Sequence, residues 1–295
     1  LRSSSAASDV YKRQVFIDDL KYFDYETIKS PLEKSPWAES KYKTTNFSKE
    51  FEDYNKKMRT AAYVVIQNDT IIGEKYYEDY SVNSSTNSFS MAKTPVSLMM
   101  AKAFEQGYIN SLEDKVIDYI PELKGEFAND VKIIDLAAMT SGIDWDEGTS
   151  NPFSPVAKQY FYEDLDKLML DQKFITEPSK TYKYSSANTQ ILSMVIEKAT
   201  GMKTKDYFEK EFWFKINPDN DAYWQIDSKE SGNVKSFCCL HSNARDFSRL
   251  GKLYIDNGSW NGNQIIDSTF IQKSTKPYLD DFREYGIGVW LSDYK

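Results

Sequence analysis

A chain of 295 residues with 40% apolar, 28% charged and 15% aromatic side chains is long enough to bury a large core and too aromatic to stay disordered. Its formal charge of −8, with no cluster of Lys and Arg large enough to reverse it locally, argues against a nucleic acid partner. The longest apolar run, Ala61 to Ile66, falls far short of the roughly 20 residues a membrane span needs, and a single histidine, His241, leaves little from which to build a zinc site.

In chain order, residues 1–14 (LRSSSAASDVYKRQ) are Ser-rich and basic and lack the apolar stretch of a secretory signal, so they read as a disordered or artificially added tail. Direct reading therefore leaves localisation open. From Phe47 to Met58, Phe47, Phe51, Tyr54 and Met58 recur at helical spacing. Two β-rich runs follow, AAYVVIQ and TIIGEKYY, with Asn68 and Asp69 between them suited to a tight hairpin turn, so the chain opens helix, strand, strand. After Ser90 the pattern turns helical: Met99, Met100, Ala103 and Phe104 form an apolar stripe that stops at Gly107, and Thr189 to Thr200 repeats the pattern up to Gly201. A further helix is expected around Ala244 to Asp256, and YGIGVWLSDY near the C-terminus reads as a strand. Cys238 and Cys239 are adjacent, and an ordinary disulfide between them would be strained.

Strands at both ends of the chain around a mainly helical middle imply an α+β domain, with a sheet part at about residues 47–90 and 220–295 and a helical part at about 91–219. Such a boundary makes a cleft, the usual seat of a small-molecule site.

For chemistry, the S-x-x-K pattern is weak alone, since 31 Ser and 31 Lys predict about three chance matches. Three occur: Ser40 with Lys43, Ser90 with Lys93, and Ser292 with Lys295. Only Ser90 follows a turn-like segment and opens an apolar helix, where backbone N–H groups point outward and Lys93 shares its face. There the ammonium can ease removal of the serine proton, and a desolvated lysine can itself act as base. The plainer alternative is that Ser90 caps the helix and Lys93 is solvated. Pro95 would bend the first turns if the helix began at Ser90. The G-x-S-x-G elbow of histidine-dependent hydrolases does not occur, and His241 suits a structural role better than that of a base.

The blocks SMAKTPVSLMMAKAFEQGYINSLEDKVIDYIPEL, DLAAMTSGIDWDEG, EPSKTYKYSSANTQILSMVIEKATG and DAYWQIDSKESGNVKSFCCLHSNARDFSRLGKLYIDNGSWNGNQIID resemble, in that order, the class C β-lactamases, D,D-peptidases and related esterases. Within that family they are most similar to the 6-aminohexanoate-dimer hydrolase-like members, from about Ala61 to the C-terminus. The resemblance implies a β-lactamase/transpeptidase-like α+β fold, an antiparallel sheet flanked by helices with an inserted, mainly helical subdomain. It implies Ser90 as nucleophile, Lys93 as its lysine and Tyr184 as the second base, the tyrosine of a Y-x-N or Y-S-x element. Ser186 stands where class C enzymes have Asn, a departure shared with the dimer-hydrolase-like group; Ser186 and Asn188 are the candidate substrate-binding residues, with helix capping the alternative for Asn188.

The family's third motif, expected on a core strand after a YGxGWW-like segment, is not found before Lys295, so the chain reads as missing its C-terminal strands. The activity implied is hydrolysis of small amides, esters or cyclic amides through an acyl-enzyme. The alternative is a non-catalytic or penicillin-sensing domain of the same fold. No cofactor is implied, the partner is a small-molecule substrate, and an envelope or periplasmic setting follows from the resemblance alone.

Overall fold

In a computed structural model of the chain, residues 16–148 and 154–292 are described; the expected tail at 1–14 and Lys295 lie outside them. Regular structure begins earlier than periodicity suggests, because β1 (Tyr25–Ile28) and β2 (Ala38–Thr44) precede the first helix. The sequence of β2, AESKYKT, is largely solvent-facing and carries no apolar alternation to reveal it. Helix α1 (Lys49–Lys57) is capped by the Ser48 hydroxyl, which accepts the Phe51 N–H at 3.2 Å. The expected hairpin follows as β3 (Ala62–Gln67) and β4 (Thr70–Tyr76), turned by Asn68 and Asp69 at φ 49° and 60°. Two consecutive left-handed residues match the twist of the flanking strands. β2 runs parallel to β4 on its other side, giving a three-stranded sheet ordered β2–β4–β3.

Strands β5 (Thr86–Asn87), β6 (Ala222–Gln225) and β7 (Leu240–Ser242) join β1 in a four-stranded antiparallel sheet ordered β1–β6–β7–β5. Segments from both sides of the helical middle thus share one sheet. β5 leads into a 3-10 turn, Phe89–Ala92, and then into α2 (Lys93–Glu105). Because the α-helix proper starts at Lys93, Pro95 falls in its first turn, where the missing N–H would have no helical partner, and the expected bend is unnecessary.

The middle of the chain supplies α3 (Ile133–Ala137), α4 (Pro155–Phe161), α5 (Leu165–Leu170), α6 (Ser186–Thr200) and α7 (Thr204–Phe208). α2 and α6 pack together at the centre of the core through fully buried residues such as Leu98, Met99, Ile191 and Val195. Both helices end as expected, with Gly107 and Gly201 at φ 76° and 69°. α6 starts three residues earlier than its apolar pattern, because its first turn is made of buried polar side chains.

After β7, Asn243 caps α8 (Ala244–Ile255), which packs against β3, and α9 (Ser268–Ser274) follows. The C-terminal segment is not the expected strand. Tyr285 and Trp290 face each other across a tight reversal whose Gly286 N–H donates to the Val289 carbonyl. Gly288, at φ 73°, lies so close to α2 that a Cβ would meet Ser97 Oγ at 2.0 Å. Cys238 and Cys239, with Cα atoms 3.7 Å apart, are bonded to each other despite their adjacency. Among the described residues no helix is long and apolar enough to cross a membrane.

Candidate active site

The turn that carries Ser90 is held by short-range chemistry. Phe89 adopts φ 44°, a left-handed conformation that for an aromatic residue costs on the order of 1–3 kcal/mol and must be imposed by its surroundings. Its N–H donates to Asn87 Oδ1 at 2.8 Å, and the Ser88 N–H donates to the Leu240 carbonyl of β7 at 2.8 Å. The result leaves Ser90 exposed at the mouth of α2, with Lys93 directly beneath it and only 2% exposed.

Lys93 Nζ donates to Ser90 Oγ at 3.1 Å and to the Phe237 carbonyl at 2.9 Å. Burial lowers its pKa to about 8, against the opposing pull of the Glu147 carboxylate. Tyr184 closes the third side, with Lys93 Nζ 4.9 Å from its ring centroid. Burial raises the phenol above its ordinary value, more than its hydrogen bond with Ser90 lowers it, so Tyr184 is a protonated donor at neutral pH. Residues 90, 93 and 184 therefore lie together at the mouth of α2. Tyr182, two residues away, turns aside and stacks on Phe282 at 3.9 Å between ring centroids.

Ser186 and Asn188 point into the protein. Ser186 donates through its N–H (2.9 Å) and its hydroxyl to Glu147, while Asn188 accepts from the Ser141 hydroxyl at 2.5 Å and faces the Met139 sulfur. Neither acts as the cap of α6, and both tie the Tyr184 element to the loop at 139–147. Glu147, which also accepts the Trp145 indole N–H at 2.7 Å, is the site residue that sequence reasoning missed. Its only signal was membership of the DWDEG run. Trp290, exposed at 56%, lies 5.5 Å from the Tyr184 ring and forms an aromatic flank with Tyr285. His241 stands apart on β7: it is fully buried, its pKa is lowered to about 4 by desolvation, and its Nε2 meets Gln225 Nε2 at 2.9 Å.

A family model described as Beta-lactamase matches residues 47–295. The chain belongs to the Beta-lactamase family. Within this β-lactamase frame it is 22% identical over 228 residues to the 6-aminohexanoate-dimer hydrolase of Paenarthrobacter ureafaciens, a match covering 72% of this chain and 56% of that protein. The chain thus spans little more than half the length of that curated relative. Its fold is similar to a Bacillus anthracis protein provisionally named a 6-aminohexanoate-dimer hydrolase (TM-score 0.75, 21% identity, covering 88% of this chain and 73% of that one). It is also similar to a penicillin-binding protein from Bacillus halodurans (TM-score 0.65, 16% identity, 82% and 84% covered). The β-lactamase/transpeptidase-like fold is that of these neighbours, and the sheet-and-helix arrangement above is its framework.

Proposed function

We propose that this β-lactamase-family protein is a serine hydrolase that cleaves small amides, esters or cyclic amides through an acyl-enzyme on Ser90. One observation carries the reading: an exposed hydroxyl within hydrogen-bond reach of a buried lysine whose proton is loosely held. With a pKa near 8, about a tenth of Lys93 is neutral at pH 7, enough to serve as a base without sacrificing its positive form as an acid.

In the first half-reaction neutral Lys93 takes the Ser90 proton as Oγ adds to the substrate carbonyl carbon, and the Ser90 N–H at the mouth of α2 supports the oxyanion. Collapse breaks the C–N or C–O bond. The Tyr184 phenol gives its proton to the departing nitrogen or oxygen and is reprotonated from Lys93. In the second half-reaction water surrenders a proton to the Lys93–Tyr184 pair as it adds to the acyl carbon, the Ser90 ester bond breaks, and Oγ recovers a proton. Glu147, Ser186 and Asn188 hold the Tyr184 element rather than the substrate.

The amide named for the Paenarthrobacter relative and the penicillin-binding neighbour both suit acyl transfer. Labelling with a fluorophosphonate, read by mass, tests the reading. Ser90→Ala should lose the adduct and Ser40→Ala should keep it; an adduct that survives Ser90→Ala overturns the assignment. A penicillin adduct on Ser90 that forms once and is not released would point instead to a sensor.

A further inference from the structure

We propose that Asp19, in the segment ahead of the family-matched region, is a positioning residue that acts through Asn87 to hold the Ser90 turn; the inference rests on the reading of Ser90 as nucleophile. Asp19 sits in a 3-10 turn, Asp19–Tyr22, and is 4% exposed. Its carboxylate accepts the Tyr160 hydroxyl at 2.7 Å and Gln225 Nε2 at 3.0 Å, and Asn87 Nδ2 lies at 3.5 Å. His241 Nε2 lies 3.9 Å away. Burial raises the Asp19 pKa, against the hydrogen bonds with Tyr160, Asn87 and Gln225 and the charge of Lys235, which favour the ionised form.

Asn87 is the link. Its Oδ1 accepts the Phe89 N–H at 2.8 Å and so supports the left-handed residue next to Ser90. Its Nδ2 faces Asp19 Oδ1 and the Tyr160 oxygen, each at 3.5 Å. Those two contacts are long and add little binding energy, but they settle orientation: Asp19 Oδ1, which already accepts from Gln225 Nε2, and the Tyr160 oxygen, whose own proton is donated to Asp19 Oδ2, both present acceptors, so the amide nitrogen stays toward them and the amide oxygen toward Phe89. A flipped Asn87 would set an N–H against the Phe89 N–H and release the turn. The same segment holds the Asn87 backbone, whose N–H donates to the Ile17 carbonyl at 2.7 Å. Asn87 also pairs with His241 on β7, the strand that follows Phe237, whose carbonyl holds Lys93. A shift of Asn87 would therefore disturb the geometry between Ser90 and Lys93 from both sides.

The test uses the full chain and two readouts well below the unfolding temperature: the second-order rate of fluorophosphonate labelling, and hydrogen exchange of the Phe89 amide. Asp19→Asn, which keeps shape but lets the side chain present a donor to Asn87, should slow labelling on the order of 10–100-fold, the scale expected for sub-ångström misplacement of a reacting group. It should also speed Phe89 exchange and lower kcat of ester hydrolysis more than it raises KM. Asn87→Ala should do the same, and the double variant should be no slower than Asn87→Ala alone. Ile28→Val, a destabilising change in β1 remote from Asn87, should leave the labelling rate unchanged. Folded Asp19→Asn that labels at the wild-type rate, or effects of the two substitutions that multiply independently, would overturn the proposal. If Ser90→Ala still labels, the nucleophile reading has failed, while the Phe89 exchange rate still decides whether Asp19 governs the turn.

Discussion

Lys93 is buried and Tyr184 half-buried, and desolvation acts on them in opposite senses. It disfavours the charged form of each, so the lysine gives up its proton more readily and the phenol less readily than in water. If Lys93 is the base for acylation, the labelling rate should rise with pH to a plateau, with a midpoint near 8, and that limb should vanish in Lys93→Arg, whose guanidinium does not deprotonate. The loss in Lys93→Arg should be on the order of 10²–10⁴-fold, the usual size of a general acid–base contribution. A stopped-flow pH profile of p-nitrophenyl ester acylation measures both. Tyr184→Phe should lose a similar factor in turnover and Tyr182→Phe much less, since the Tyr182 hydroxyl has no hydrogen-bond partner among the described residues and its ring is committed to Phe282. Equal losses in the two would remove the case for Tyr184.

At the scale of elements, the site depends on where segments end and approach one another. The reversal at Tyr285–Trp290 is seated between α2 and the end of α3, with the Gly288 N–H donating to the Ala137 carbonyl of α3 and the Thr94 hydroxyl of α2 donating to the Gly288 carbonyl at 2.8 Å. Gly288→Ala combines a left-handed φ with a Cβ placed on Ser97, so it should cost more than the roughly 1 kcal/mol of an ordinary glycine replacement. Chemical denaturation would show it, and an unchanged midpoint would mean the reversal is not seated there. The N-terminus of α6 depends on Glu147 in the same way. Glu147→Gln should weaken two charge-assisted hydrogen bonds to Ser186, loosen the Tyr184 element and lower turnover while the nucleophile still labels.

For the molecule as a whole, one ion-pair group connects the two ends of the chain. Arg245 on α8 makes a two-pronged contact with the buried Glu74 of β4, 2.6 Å on each side, and reaches Glu39 of β2 at 2.8 Å. Although burial raises the Glu74 pKa, its hydrogen bonds prevail and lower it to about 2, so its contribution is present above the ordinary value of 4.5 and is lost as pH falls toward 2. Arg245→Ala would leave Glu74 with Lys43 Nζ at 3.0 Å and the Tyr76 hydroxyl at 2.6 Å, and should destabilise by about 1–3 kcal/mol in denaturation at pH 7. On the alkaline side two buried lysines give a dependence of the same sign. Lys93 and Lys235 both titrate near 8 in the folded protein against 10.5 when exposed, so between about pH 8 and 10 these two groups hold more protons in the unfolded chain than in the folded one and stability should rise with pH, until the tyrosines whose pKa burial raises, such as Tyr182 and Tyr254, act the other way above 10.0. The rise should be shallower in Lys235→Met, and a melting temperature that falls steadily over that range would contradict the buried-lysine picture.

Features that need only near neighbours along the chain were legible from the residues alone. Ser90 and Lys93 meet because they are one turn apart, Asn68 and Asp69 make a hairpin because both tolerate left-handed backbone, and Gly107 and Gly201 end helices for the same reason. The order of the family-like blocks added Tyr184, which no local pattern could separate from Tyr182. Features that join partners far apart in the chain, or strands whose faces carry no contrast, emerged only on packing. β1 and β2 were silent because their side chains are largely exposed and strand pairing is not encoded by alternation there. YGIGVW has a strand's composition but folds back, since its glycines permit close seating on α2 that burial of the segment then rewards. Ser186 and Asn188 turned inward because a carboxylate some forty residues earlier, Glu147, and the Ser141 hydroxyl were waiting for their donors and acceptors. The position of Asp19 beneath the Ser90 turn is of the same kind: a buried carboxyl group meets hydrogen-bond donors on three other elements, and only the packed chain brings them within reach.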